Sequence, residues 1–213
     1  YLAFIDDDEW AESDWLQKLL HAMKKYDADV VFGPVVPWFL EDSPEWIRRG
    51  GFFTRQENKT GDIKQDGATN NALIRNTNKL RGELMFKSLY GLTGGEDTEL
   101  FSRLHRKGAK LVWCNEAKVY EEIAVERMNV KWLALRAMRG GQVFATITYK
   151  KLSLIGKGYW LLKRAGLLFL CCVIFPFALF LGREKWVWVL CKIMANGGQL
   201  GVLFSEKIYQ EYK

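Results

Sequence analysis

The chain has 213 residues, with 31 Lys and Arg against 25 Asp and Glu for a formal net charge of +6, and is long enough to bury a real core as one domain with an appendage. Aromatic residues make up 14% and nine of them are Trp, which argues against a simple nucleic-acid-binding module, and the cations crowd between Lys131 and Arg164 while the acids gather before residue 100. Cys171 and Cys172 are adjacent in an apolar run, Cys114 and Cys191 stand alone and no C-x-x-C spacing occurs, so a disulfide framework and a thiolate metal site are excluded and a reducing compartment is expected.

The chain opens on an apolar run, Leu2 to Ile5, that breaks into Asp6, Asp7 and Asp8. Such a run reads as a buried strand of an α/β sheet, and ligands collect outside the carboxyl ends of strands in open α/β sheets. Three adjacent carboxylates repel unless water, cations or donors compensate them. Mg²⁺ or Mn²⁺ suits such oxygen ligands, and Asp6 and Asp8 point the same way if strand geometry persists. A solvated turn ahead of a helix capped by Ser13 or Asp14 accounts for the same acids.

Residues 14–26 carry Trp15, Leu16, Leu19, Leu20 and Met23 at the period of an amphipathic helix. Residues 30–36 read as a buried strand interrupted at Gly33-Pro34, and residues 38–67 as loop-rich territory that is functional or mobile. Short apolar runs follow at 72–74 and 84–86, then a glycine cluster at 91–95. Residues 96–107 are patterned for a helix, with Leu100, Phe101 and Leu104 on one face and Gly108 as a stop. Residues 111–114 read as a further buried strand, 118–120 as a marginal one, and a helical pattern begins after Val130. This order is that of an α/β domain. Residues 165–182 are apolar and uncharged between Lys163-Arg164 and Arg183, a candidate membrane span, and 186–204 form a second apolar segment carrying Lys192, Asn196 and Gln199. The expected division is a domain at 1–150 and a membrane-associated helical region at 151–213, with a buried core helix as the competing reading of the apolar segment.

The other acidic motif is Thr93-Gly94-Gly95-Glu96-Asp97-Thr98-Glu99-Leu100. Glycines admit close backbone approach, and acids favour a helix start; a carboxylate there can also act as general base toward an acceptor hydroxyl.

Taken with Asn70-Asn71-Ala72-Leu73-Ile74-Arg75 and the segment from Arg136 to Gly141, these motifs resemble, in order and spacing, the C-terminal part of a family 2 glycosyltransferase of GT-A fold, of the bacterial branch that builds exopolysaccharide, lipopolysaccharide or capsule. The resemblance implies inverting transfer of a sugar from a nucleotide-diphosphate donor to a saccharide or lipid-linked saccharide acceptor, assisted by Mg²⁺ or Mn²⁺, at the cytoplasmic face of the bacterial inner membrane, with no nucleic-acid partner. It implies that Asp6 and Asp8 match the ends of the Asp-x-Asp motif, with Asp8 the metal ligand; that Asp97 is the base and Glu96 its neighbour in orienting the acceptor; and that Asn70, Asn71, Gly94 and Gly95 contact donor or acceptor. Arg136 and Arg139 lie where relatives carry a Gln-x-x-Arg-Trp element, but the Arg-Trp ending is absent. Glu121 stands where some relatives place a metal-binding His. The family's first, nucleotide-binding half has no counterpart here, so the chain is expected to be a fragment that alone binds donor poorly and turns over little. A membrane-anchored scaffold and a metal-dependent nucleotidyltransferase are the alternatives.

Overall fold

The computed structural model describes residues 1–54, 58–77, 82, 84, 86, 95–149 and 152–204. Two compact units result: Tyr1–Leu40 with Phe53–Ile123, and Glu41–Phe52 with Ala124–Lys213. The expected boundary at 150 therefore moves to 123/124, because the helix after Val130 packs with the C-terminal helices.

The first unit holds two sheets. The larger contains β1 (Leu2–Ile5), β3 (Val30–Phe32), β5 (Ile63–Lys64), β6 (Asn71–Ile74) and β7 (Leu111–Trp113), in the order β1-β6-β3-β7-β5. β6 runs antiparallel between β1 and β3, and β3 is parallel to β7. The carboxyl ends of β1, β3 and β7 thus share one edge with the start of β6. The smaller sheet contains β2 (Glu9–Ala11), β4 (Val35–Trp38) and β8 (Val119–Glu122), in the order β2-β8-β4. Residues 30–36, expected as one interrupted strand, are two strands in different sheets, with Gly33-Pro34 as the crossing. Pro37 sits in β4, an edge strand, where its missing N–H breaks no ladder.

Alternation within the buried strands builds a three-layer core. Val30 and Phe32 face Leu100, Phe101 and Leu104 of α3 (Glu96–Arg106), whereas Val31, Leu73 and Val112 face Leu19, Ala22 and Met23 of α1 (Trp15–Lys25). Phe32 and Phe101 meet edge to face at 4.7 Å. A side chain of this size contributes about 1.5–3 kcal/mol when fully buried. β1 departs from its expected burial: Leu2 is 37% and Ile5 40% exposed, because β1 is an edge strand paired only with β6 among the described residues. The stretch 38–67, expected as loop, contains α2 (Glu45–Gly50) and β5.

The second unit is helical, built from α2, α4 (Val130–Tyr149), α5 (Leu154–Ala178) and α6 (Arg183–Gly201). α4 and α6 approach at glycine: a Cβ on Gly141 would stand 2.1 Å from the Ala195 carbonyl oxygen, and one on Gly198 2.3 Å from that of Met138. The Arg183 guanidinium lies over the Trp46 ring at 4.4 Å, tying α6 to α2. Ser153 caps α5 by accepting from the Gly156 N–H at 3.2 Å.

Among the described residues α5 alone is long and apolar enough to cross a membrane by length and composition, and its apolar window is 6% buried. It starts eleven residues before the expected span at 165–182 and stops at Ala178, short of its far end, since the chain turns over Leu179, Phe180 and Leu181 into α6. The second candidate, 186–204, lies largely in α6, whose Asn196 and Gln199 are buried on a helix packed against α4.

Candidate functional site

The acidic turn sits at the shared carboxyl edge of the larger sheet. β1 ends at Ile5, and the chain folds back at once: the Glu9 N–H donates to the Asp6 carbonyl at 3.2 Å, while the Asp6 N–H donates to Glu9 Oε2 at 3.1 Å. Strand alternation therefore stops before the acids, and the expectation that Asp6 and Asp8 share a direction through strand geometry does not hold. All three aspartates are exposed, and each is presented by a turn linking the two sheets.

Register carries this turn to the second acidic motif. Ile5, the last residue of β1, is opposite Asn71, the first of β6, so Asp6 and Asn70 are the residues that follow and precede this pair. Asn70 is preceded by Thr69, whose N–H and hydroxyl donate to the Asp97 carboxylate at 3.2 and 3.0 Å. Asp97 stands in the first turn of α3 behind Gly95, whose φ of 93° is a left-handed cap conformation natural to glycine. One short segment, Thr69-Asn70-Asn71, thereby joins two motifs some ninety residues apart in sequence. Next to Asp97, Glu96 Oε2 is buried with no hydrogen-bond partner among the described residues, and Glu99 is held by Arg103 at 3.2 Å. Gly94 lies outside the described residues.

Asn71 has a different position from Asn70. Its Nδ2 donates to the carbonyls of Pro34 at 2.9 Å and Ala117 at 2.7 Å, and its Oδ1 accepts from Trp15 Nε1 at 2.8 Å. The amide is thus committed to the sheet crossing, the loop before β8 and the start of α1. Gly33 leaves room for it, since a Cβ there would stand 2.4 Å from Nδ2. Both asparagines line a cavity of about 240 Å³ with Asp66, Gly67, Lys64 and Trp113 at the ends of β3 and β7. Lys64 Nζ lies 5.6 Å from the Trp113 ring centre. A larger cleft of about 540 Å³ beside α1, lined by Lys18, His21, Lys25, Thr60 and Glu116, contains none of the residues the motifs single out.

The flank of the acidic turn is pinned by an ionic cluster. Glu12 accepts from Lys18 Nζ at 2.7 Å and from the Tyr120 hydroxyl at 2.9 Å, and Lys18 also pairs with Asp14 at 2.8 Å. Asp14 occupies the cap position of α1 but makes no side-chain cap bond; its carboxylate goes to Lys18 instead. The Lys18 hydrogen bond, then that of Tyr120, lowers the Glu12 pKa. The Asp14 and Glu12 hydrogen bonds raise that of Lys18. Burial raises the Cys114 thiol, making it a structural thiol.

Glu121 is opposite Glu9 in the smaller sheet, close in sequence to the turn. No group of three or more His, Cys, Asp or Glu side chains with metal-holding geometry exists among the described residues. Arg136 and Arg139 are on α4, in the other unit, and Arg136 lies over the Trp132 ring at 5.2 Å. The motifs omit Thr69. Its type and its place just before Asn70 are the only sequence signal for it, since its partner is twenty-eight residues away.

The glycosyl transferase family 2 model matches residues 1–79, which hold the acidic turn and the Asn70-Asn71 segment. The succinoglycan biosynthesis protein ExoM of Rhizobium meliloti (strain 1021) is 36% identical over 152 residues, 71% of this chain and 49% of that protein. Over residues 1–79 the chain thus matches glycosyl transferase family 2. It spans about half the length of the curated relative it matches. Its architecture is a mixed α/β domain followed by helices. S. aureus TarS 1-349, solved in complex with UDP, aligns over 98% of this chain and 68% of its own at 9% identity, with a TM-score of 0.38.

Proposed function

We propose that the protein transfers a sugar from a nucleotide-diphosphate donor to a saccharide acceptor, with inversion, in the assembly of an exopolysaccharide. The observation that carries this reading is the Thr69-Asn70-Asn71 segment, which links the Asp6 turn to the Asp97 carboxylate. The family match over residues 1–79 and similarity to a succinoglycan biosynthesis protein support the class.

Asp97 takes the proton of the acceptor hydroxyl as that oxygen attacks the anomeric carbon and the bond to the diphosphate breaks. Thr69 fixes the direction of the carboxylate, and Glu96, with a buried oxygen unused among the described residues, orients the hydroxyl. Asp6 and Asn70 contact the donor. The exposed turn fits Mg²⁺ or Mn²⁺, because such ions take one or two carboxylates plus substrate phosphates rather than a full protein cage; Asp8, with Asp6, would hold the ion, which would supply neutralisation of charge on the leaving diphosphate. The exposed apolar α5 anchors the protein at a membrane, at the cytoplasmic face where a lipid-linked acceptor is reached.

The full-length protein should release nucleoside diphosphate when given a matched sugar nucleotide and acceptor, lose activity to EDTA and regain it with Mg²⁺ or Mn²⁺. Asp8→Asn should lower the response to metal while leaving the fold intact. Release of pyrophosphate would assign a nucleotidyltransferase instead.

A further inference from the structure

The outward face of the smaller sheet carries Trp10 from β2, Tyr120 from β8 and Trp38 from β4. Trp10 is opposite Tyr120, Tyr120 is opposite Val36, and Trp38, two positions on, is opposite Glu122. The Trp10 and Tyr120 rings stack at 5.9 Å with 20° between planes, and Trp38 meets them edge-on at 5.9 and 6.3 Å. The other face of these strands turns inward, where Val119 and Val35 are buried. Yet Trp10 is 42% and Trp38 50% exposed. Large aromatic area left contiguous in water marks a contact surface rather than a core.

Two features say what covers it. Trp10 lies two residues beyond Asp8, so the aromatic face continues directly from the acidic turn. On this face the strands carry Glu122 and no Lys or Arg, since Glu9 and Glu121 alternate to the other side. Trp and Tyr also populate membrane interfaces, but a face without cations offers nothing to anionic headgroups, which attract basic segments. A neutral saccharide fits both properties: its C–H faces pack on aromatic faces, and its hydroxyls donate to a carboxylate such as that of Glu122 beside Trp38.

We infer that the Trp10, Tyr120 and Trp38 face is the subsite that holds the acceptor saccharide. This rests on the transferase reading above, and places the acceptor chain along the smaller sheet with its reactive end toward the acidic turn.

The test uses the full-length protein and four neutral probes, cello-, malto-, laminari- and chitotetraose, with affinity read by saturation-transfer NMR and calorimetry. Binding of UDP-, GDP- and dTDP-sugars is measured in parallel. Trp10→Ala and Trp38→Ala should each weaken tetrasaccharide binding at least about fivefold, in line with the range for stacking on one aromatic, and leave sugar-nucleotide affinity within about twofold. Trp10→Phe keeps a ring and should retain most of the affinity, which separates lost stacking from lost fold. Wild-type tetrasaccharide affinity in both alanine variants overturns the inference, as does failure of every tetrasaccharide to bind while a sugar nucleotide does; in both cases the transferase reading stands. Absence of both sugar-nucleotide binding and transfer would sink that reading and the inference with it. Loss of anionic-vesicle flotation in the alanine variants would assign the face to a membrane and overturn it.

Discussion

Thr69 holds the Asp97 carboxylate by two hydrogen bonds, one from its N–H at 3.2 Å and one from its hydroxyl at 3.0 Å. A base anchored at one side keeps its direction through the reaction. Asp97→Asn removes the proposed base and should cut kcat by about 10²–10⁴. Thr69→Val deletes the hydroxyl bond, keeps the N–H bond and should lower kcat by about tenfold with KM for both substrates little changed. Steady-state kinetics on the full-length protein checks both; a Thr69→Val effect confined to KM would remove Thr69 from its positioning role.

Asn71 connects β6 to three other segments, and its truncation should be felt as stability. Asn71→Leu leaves the Ala117 carbonyl and the Trp15 indole N–H without their partner, while the Pro34 carbonyl keeps the Val119 N–H. Each buried polar group left unsatisfied costs about 1–3 kcal/mol, so a loss of about 2 kcal/mol or more is expected in urea unfolding. Asn70→Ala, whose side chain lines the cavity, should cost less stability and more donor affinity.

Paired glycines on α4 and α6 give an internally controlled experiment. Gly141→Ala and Gly198→Ala push a methyl into a backbone carbonyl of the facing helix, and should destabilise by about 1–3 kcal/mol. Gly140→Ala and Gly197→Ala meet nothing within 4 Å and should be neutral or stabilising by about 0.5–1 kcal/mol. Thermal unfolding of the four variants should separate the two pairs cleanly.

Acid should loosen the corner where α1 meets the smaller sheet. Glu12 titrates below the ordinary carboxylate value because Lys18, then Tyr120, donates to it. Its depressed folded pKa means the stabilisation is complete above the unfolded pKa of about 4.3 and is lost as pH falls through the lower folded value. Glu116, lowered chiefly by the Thr60 hydroxyl, adds in the same direction. Glu12→Gln should flatten the acid limb of a plot of Tm against pH, and Thr60→Val should do so more weakly.

Membrane attachment through α5 predicts co-flotation with liposomes. Phe169, 72% exposed, lies within the apolar stretch of α5, and Phe169→Arg adds about 2.5–3.5 kcal/mol to burial of that helix in a bilayer. Reduced flotation of this variant, with an unchanged circular-dichroism spectrum, is the expected result.

Periodicity was sufficient where one element buries one face. The helix read at 14–26 is α1 at Trp15–Lys25, and that read at 96–107 is α3 at Glu96–Arg106. It failed where burial depends on neighbours distant in sequence. Leu2 and Ile5 have the composition of core residues, but β1 has a strand on one side only among the described residues. Residues 30–36 look continuous, yet the Asn71 amide and Gly33 allow the chain to leave one sheet and enter another. The two acidic motifs were legible as candidates for chemistry; the segment joining them was not, because neither the Ile5 to Asn71 register nor the Thr69 to Asp97 bond has a local signature. Asn71 shows the converse: a polar residue in a matching motif whose amide is occupied within the fold.

The exposed side of β1 also governs how the protein behaves in a test tube. A strand with apolar Leu2 and Ile5 at its surface and, among the described residues, an unpaired row of N–H and C=O groups along one side invites pairing with the same strand of another molecule. Concentrated solutions of these 213 residues should self-associate through that edge, and a single Lys at Ala3 should suppress it, making solubility rather than fold the first obstacle to biochemistry on this chain.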